Sequence, residues 1–382
     1  MKMKNILFGL LIVAPTISYG NGIENKQIPF QMIYETVSNN STYETLYNSD
    51  FVYYLKEQVP DQKFTIGNLF SSCVGYTKID QNIDLEMCKS FIKSVVYEQR
   101  RSITDPSKAF IATTTPDTTE FKFSIYAAGN YTVDCSGENP VQKISITNAK
   151  TGQEIKCNYT KPGAYKIIID GRATGYDNSV PAISFEENQN LAGIDGSLGA
   201  IFPTLGKSQP VFANTFANCS GLTGPIPENL FSGISGAPAE RMFLGTFFGC
   251  SGLTGTIPEK LFSGISGAPA ARMFAYTFFA CSGLTGTIPE NLFSGISGAP
   301  AEWMFNSTFF GCSELTGTIP ENLFSGISGA PAKWMFYNTF TSCSGLSGIV
   351  GPSIFGKITP PITEKYVSEE ETFESSGILF ME

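Results

Sequence analysis

The chain has 382 residues, with 25 Lys and Arg against 34 Asp and Glu, for a formal net charge of −9. Such a charge repels phosphate backbones, so nucleic acid is not an expected partner. There is no histidine, which excludes Ser-His-Asp and Cys-His nucleophile systems and every His-ligated metal site. Charged residues are only 15% while Gly number 38 and Phe 31, which points to a turn-rich, packed, repetitive chain rather than disorder.

Residues 1–20 read as a secretory signal peptide. Lys2 and Lys4 precede an apolar run from Ile6 to Val13, and Ser18-Tyr19-Gly20 follows as a cleavage site. The run is too short to span a bilayer, and no other stretch reaches about 18 apolar residues, so no membrane span is expected. The first cysteine is Cys73, far from that cleavage site, so a lipid anchor there is not expected.

Residues 21–117 read as a small helical region ending in a linker. Asp84 is placed as an N-cap before Leu85, Cys88, Phe91, Ile92 and Val95, which recur at helical spacing. A second helix is expected over 50–59, and 113–119 is the linker. Residues 118–190 alternate instead. Phe121, Phe123 and Ile125 form one apolar phase; Tyr131, Val133 and Cys135 form the next. Ile144 and Ile146, then Ile155, Cys157 and Tyr159, then Tyr165, Ile167 and Ile169 continue it, with turn signals between them. This predicts an all-β sandwich. The runs NYTVDCSG and KPGAYKIIIDG resemble a PKD-like module, which implies a presenting or spacing domain.

Residues 191–357 are dominated by an internal repeat. Four full units cover 212–242, 243–273, 274–304 and 305–335, and a fifth begins at Phe336 and decays after Gly348. The second and third units differ at 6 of 31 positions. Leu253 to Ile257 alternates as a short strand, and Pro258 ends it. Met273, Phe274, Thr277, Phe278 and Cys281 fall at i, i+1, i+4, i+5 and i+8, one apolar helical stripe behind Pro269. Each unit is thus predicted to be a strand, a turn and a helix, stacked so that neighbours bury a shared core. The segment 198–205 and the decayed last unit would be the caps. Residues 358–382, with Pro360-Pro361 and Glu369-Glu370-Glu371, read as a poorly ordered acidic tail.

The block MFxxTFxxCSGLTGxIP resembles the leucine-rich repeats of bacterial BspA-like surface proteins. The resemblance implies a leucine-rich-repeat solenoid with a short strand plus a helix per coil. It also implies a place in the bacterial envelope, adhesion or partner binding as the role, and no catalytic residues. The 31-residue period is longer than that group's usual unit, through the ISGAPA insertion.

The cysteines form two sets. Cys73, Cys88, Cys135 and Cys157 are irregular and in an exported chain read as disulfides; of three pairings, proximity favours Cys73–Cys88 and Cys135–Cys157. Cys219, Cys250, Cys281, Cys312 and Cys343 recur every 31 residues and read as buried free thiols. One thiol per coil does not close a four-ligand site, so no metal is expected, and no cofactor.

Two surfaces emerge from comparing the units. Arg241, Arg272, Trp303 and Trp334 precede each Met, and Tyr276 and Tyr337 lie close by on the same expected face. Clustered exposed aromatics make a contact surface; the plainer readings are unconstrained variation, or Trp packing sideways on the next coil. Thr254, Thr285 and Thr316 form one outward row on the strands, and Thr256, Thr287 and Thr318 a parallel one. That array fits a regular surface such as a polysaccharide, or else ordinary β-propensity. Over 212–335 there are seven Glu against four Lys and Arg, a net of −3, so a mainly electrostatic partner is not expected.

The expected protein is therefore multidomain: a leucine-rich-repeat solenoid preceded by an all-β sandwich and a small helical region. It would be secreted or at a cell surface and non-enzymatic, binding a protein or glycan at a cell or host surface. The alternative is an envelope spacer without a specific ligand. More remote is a carbohydrate-active enzyme using a carboxylate pair, from acids such as Asp50, Asp61, Asp84 and Glu98.

Overall fold

The computed structural model describes residues 108–136, 139–359 and 372–380, all within one compact unit, Thr104–Glu382. The expected signal peptide, the helices over 50–59 and from Asp84, and the Cys73–Cys88 clip lie outside the described residues.

Strands form where the alternation places them. They are β1 (Phe110–Thr114), β2 (Thr118–Ile125), β3 (Ala128–Asp134), β4 (Gln142–Ile146), β5 (Gln153–Gly163), β6 (Lys166–Gly175), β7 (Ile183–Ser184) and β8 (Leu191–Gly196). One antiparallel sheet has the order β4-β3-β6-β1-β8, and the other β5-β2-β7. The expected linker over 113–119 is instead the end of β1, a turn and the start of β2. Phe121, Phe123, Tyr131, Val133 and Ile155 are buried on the facing sides of these sheets. A disulfide joins Cys135, just past β3, to Cys157 in β5, with Cα atoms 5.5 Å apart, and so ties one sheet to the other.

The repeat region overturns the expected fold class. The predicted leucine-rich-repeat solenoid with a helix per coil does not form. Residues 203–350 hold no α-helix. The one complete α-helix among the described residues is α1 (Leu198–Ile201), four residues capped by the Ser197 hydroxyl, which accepts from the Ala200 N–H at 3.1 Å.

Where the helix was expected, the backbone runs as a ribbon of consecutive tight turns. The N–H groups of Leu244, Thr246, Phe248 and Cys250 donate three residues back within the coil, at 3.0–3.3 Å. Those of the alternate residues Phe243, Gly245, Phe247 and Gly249 donate to carbonyls of the next coil, at 2.8–2.9 Å. Every fourth residue is left-handed: Arg241 (φ 59°), Gly245 (φ 56°) and Gly249 (φ 70°), the backbone that the third position of a type II turn requires. The spacing i, i+1, i+4, i+5, i+8 fits a period of 4 as well as one of 3.6, so the apolar stripe alone misled. Gly245, Gly249, Asn214 and Asn218, four residues apart, are the signal of turns rather than helix.

Coil spacing decides between the two. On the strand face, Thr254, Thr285 and Thr316 donate to Gly224, Gly255 and Gly286 of the preceding coil at 2.8–2.9 Å. A third ladder runs from Ser266 to Gly236 and from Ser297 to Gly267, both 2.9 Å. Backbones so paired lie about 4.8 Å apart, whereas packed helices need about 8–10 Å. A helix on the remaining face would make the coils fan apart there and bend the stack, whereas the ribbon bonds coil to coil at 2.8–2.9 Å and keeps the third face at the same spacing. The ring columns follow the stack one ring per coil: Phe247–Phe278 centroids are 5.7 Å apart and Phe278–Phe309 5.6 Å.

Buried side chains then satisfy the ribbon's carbonyls. Thr277 Oγ1 lies 2.7 Å from the Phe274 carbonyl and 2.9 Å from that of Phe243, and Thr246, Thr308 and Thr339 repeat the pattern. Cys281 Sγ donates to the Phe247 carbonyl at 3.0 Å, and each of the five thiols does likewise. All five cysteines are free and buried.

The two ends of the stack are built from chain that is not in repeat register. At one end, Phe185 and Glu187 donate to the Thr215 and Ala217 carbonyls, and Phe185 stacks on Phe216 at 5.6 Å. The sheets and coils thus share one core. At the other end, the chain after the fifth unit forms β10 (Ser347–Val350) and β11 (Lys357–Ile358), which pairs with β9 (Ser328–Gly329). The tail then returns: β12 (Gly377–Phe380) pairs in parallel with β10, and Phe373 stacks on Phe340 at 5.8 Å. Within 372–380 the expected disordered tail is thus a capping coil.

Two stability predictions follow from this packing. A Cβ on Gly295 would fall inside the Ile265 carbonyl of the coil beneath. Gly295→Ala should destabilise by about 2–4 kcal/mol in denaturant unfolding, whereas Ala at Gly206, where nothing lies within 4 Å and only the left-handed backbone (φ 61°) opposes it, should cost about 1 kcal/mol. Replacing both Cys135 and Cys157 by Ala should cost about 3 kcal/mol. Since the core is continuous, emission from Trp303 and Trp334 should report the loss in the same transition.

Candidate functional site

The turn ribbon presents an outer face on which the sequence-derived aromatic and basic residues gather. Arg241, Arg272, Trp303 and Trp334 occupy one left-handed position in successive coils, with φ of 59°, 55°, 59° and 52°. Tyr276 (φ 57°) occupies the next such position in its coil. Glycine would hold this backbone without strain, whereas an L side chain there costs roughly 1 kcal/mol or more. No coil places glycine at the first position, and two place Trp.

The side chains touch across coils. The Trp303 and Trp334 rings meet edge to face with centroids 4.3 Å apart, and Tyr337 lies 6.4 Å from Trp334. The Arg272 guanidinium lies 5.9 Å from the Trp303 ring, and the Lys333 ammonium 4.0 Å from that of Trp334. The Glu240 carboxylate is 3.3 Å from Arg241 and 3.9 Å from Arg272. These pairs are about half exposed, so they orient more than they stabilise. Burial raises the Tyr276 pKa, with the Tyr337 ring beside it acting the same way and Arg272 and a hydrogen bond from Ser307 opposing.

Two features of this face were missed in the sequence. Phe248, Phe279 and Phe310 form a half-buried column with centroids 4.6 Å apart, and Tyr276 lies 5.8 Å from Phe279. On a helix these positions would be the polar side; the signal was an aromatic recurring every 31 residues. The second feature is Asn306. Its side chain is fully buried, and neither Nδ2 nor Oδ1 has a hydrogen-bond partner. Its backbone N–H donates to the Trp303 carbonyl at 3.2 Å, and its carbonyl accepts the Tyr276 N–H at 2.8 Å. It therefore sits between two of the aromatic residues.

The threonine rows lie elsewhere, on the strand face. Thr254, Thr256, Thr285, Thr287, Thr316 and Thr318 are all exposed, and the Thr256 methyl packs against Gly286 of the next coil. The rows end in Ser347 and Ile349, the latter 61% exposed. A separate groove of about 510 Å³ is lined by Glu228, Asn229, Phe231, Lys260 and neighbours from the first two full coils. None of the sequence-derived site residues lines it.

The periodic thiols are chemically quiet. Burial pushes Cys219 and Cys343 up to about 12 and Cys281 and Cys312 well above the ordinary range, so all remain protonated at neutral pH. Among the described residues, no group of three or more Cys, Asp or Glu side chains is gathered to hold a metal ion. No helix among them is long and apolar enough to cross a membrane. Comparison with protein-family models, curated proteins and solved structures finds no match for this chain.

The thiols give this region an alkaline limit. An unfolded thiol ionises near pH 8.5, while the folded ones hold their protons to higher pH. Their stabilising effect is complete below that value and is lost as pH rises toward about 12, the level of Cys219 and Cys343. The melting temperature should be flat to about pH 8 and fall above it. Thiol reagents at pH 7 should label these cysteines only after denaturant is added.

Proposed function

We propose that this protein is exported, secreted or held at a bacterial cell surface, and binds a protein or glycan partner there without catalysing a reaction. The observation that carries the reading is the aromatic face of the turn ribbon. Trp303 and Trp334 are half-buried, in contact with each other, and held on left-handed backbone that glycine would accept at lower cost. That backbone recurs along the ribbon, at Ala280 and Ser342 as well, so the signal is the choice of side chain: Trp, Tyr and Arg are the residues that dominate contact energetics.

Further support comes from the sequence. The N-terminal residues have the pattern of a secretion signal, and the histidine-free composition removes the commonest acid–base and nucleophile systems. The likeness of the repeat block to BspA-like surface proteins supports the location and role, though not the structure of a coil.

The test is a binding screen of residues 21–382 against extracellular-matrix proteins, mucins and glycans. A Trp303→Ala/Trp334→Ala variant runs alongside. Saturable binding to at least one of these, weakened about tenfold or more in the variant, is the expected result. Binding that survives in the variant would move the site to the threonine rows or the sheets. A blank panel would refute the reading and favour a spacer that merely extends from the envelope.

A further inference from the structure

We propose that the aromatic face is a saccharide-binding site, with the buried amide of Asn306 as its polar floor; this rests on the partner-binding reading above and names its ligand class.

The first support is Asn306 itself. A buried amide with no partner destabilises the fold. The same column position holds Leu244 and Ala275 in the two preceding coils, neither of which carries that penalty. The stack therefore accepts an apolar residue here, and Asn306 keeps a donor pair and an acceptor that the protein does not use. Both are left for something outside the chain.

The second support is what surrounds it. Trp303 and Tyr276, whose backbones bracket Asn306, carry half-buried rings, and Trp334 stands edge-on to Trp303. A pyranose has an apolar C–H face that packs on an aromatic ring and a rim of hydroxyls. Adjacent hydroxyls, one donating to Oδ1 and one accepting from Nδ2, match the unused capacity of a carboxamide. Asn306 is fully buried, so the rings beside it must turn aside for a sugar to reach the amide, as interface side chains commonly do on binding.

The third support is the charge. Glu240 lies between Arg241 and Arg272, and the coil units carry only −3 over 212–335. The face offers no strong field for a highly charged partner, which favours a neutral polyol. The rings also recur from coil to coil. A chain of linked sugars can touch several of them at once and gain through effective concentration.

The experiment uses the protein's only two tryptophans, Trp303 and Trp334, both of which lie at the site, so emission reads occupancy directly. The mature chain is titrated with hexasaccharides of N-acetylglucosamine, glucose, mannose and galactose, and with the matching disaccharides. A saturable emission change with at least one hexasaccharide, weaker with its disaccharide, is expected. Asn306→Ala, which installs the residue of the preceding coil, should melt higher than the parent while losing about tenfold or more in affinity by calorimetry. Asn306→Leu, the residue of the first full coil at this position, is the second variant should the first fold poorly.

No saturable change with any hexasaccharide overturns the proposal, as does unchanged affinity in both Asn306 variants. Immobilised matrix proteins, native and enzymatically deglycosylated, separate this failure from that of the broader reading. Equal binding to both forms with blank hexasaccharides removes the saccharide and leaves a protein partner. A blank result throughout removes both.

Discussion

Each coil of this protein passes backbone hydrogen bonds to the next along three separate ladders, and the spacing of those bonds governs the rest of the repeat region. Backbones joined this way lie about 4.8 Å apart, so every residue in a coil must live within that pitch. Flat rings meet the requirement by stacking, as in the Phe243, Phe274 and Phe305 column at 5.4 and 5.6 Å. Glycine meets it where a carbonyl of the neighbouring coil presses in, as at Gly295. A helix in every coil would need about twice that spacing against its neighbour.

The same pitch explains why buried polar groups are so regular. A turn ribbon leaves carbonyls without the continuous internal ladder a helix would give them. The Thr277 hydroxyl and the Cys281 thiol reach those carbonyls from within the core, and their equivalents do so in every coil. Cysteine here is a small apolar residue with one weak donor, which is what the site needs. Against that background of complete pairing, Asn306 stands out, because the scheme that serves its neighbours does not reach its side chain. The functional reading depends on that contrast as much as on the aromatic rings around it.

Capping shows a second consequence. A stack of open ladders needs its ends covered, or they pair with other chains. One end is closed by Ala182, which donates to Val211 just ahead of the first unit, and by Phe185 and Glu187, which donate into it, so no seam separates the sheets from the coils. The other is closed by Thr372 to Phe380, where Thr372-Phe373 and Ser376-Gly377-Ile378 faintly echo a unit. The Thr372-Phe373 pair, with the Thr372 hydroxyl on the Phe336 carbonyl at 3.1 Å, the left-handed Ser375 (φ 55°) and Gly377 against the Leu346 carbonyl repeat the chemistry of the units.

Much of this was legible in the sequence. The 31-residue period, the strands at Phe121, Tyr131 and Ile155, the Cys135–Cys157 pair and the free thiol column all follow from residue type and spacing. These are local statements: alternation, period and redox logic need no partner to be read. The helix was misread because Met273, Phe274, Thr277, Phe278 and Cys281 satisfy two periods equally well, and a single unit does not reveal how far away its neighbour stands. That distance is a property of the stack. Tertiary structure alone therefore decided that the stripe is a ribbon of turns, that Phe248, Phe279 and Phe310 form a surface column, that the tail closes the end, and that the amide of Asn306 is buried without a partner.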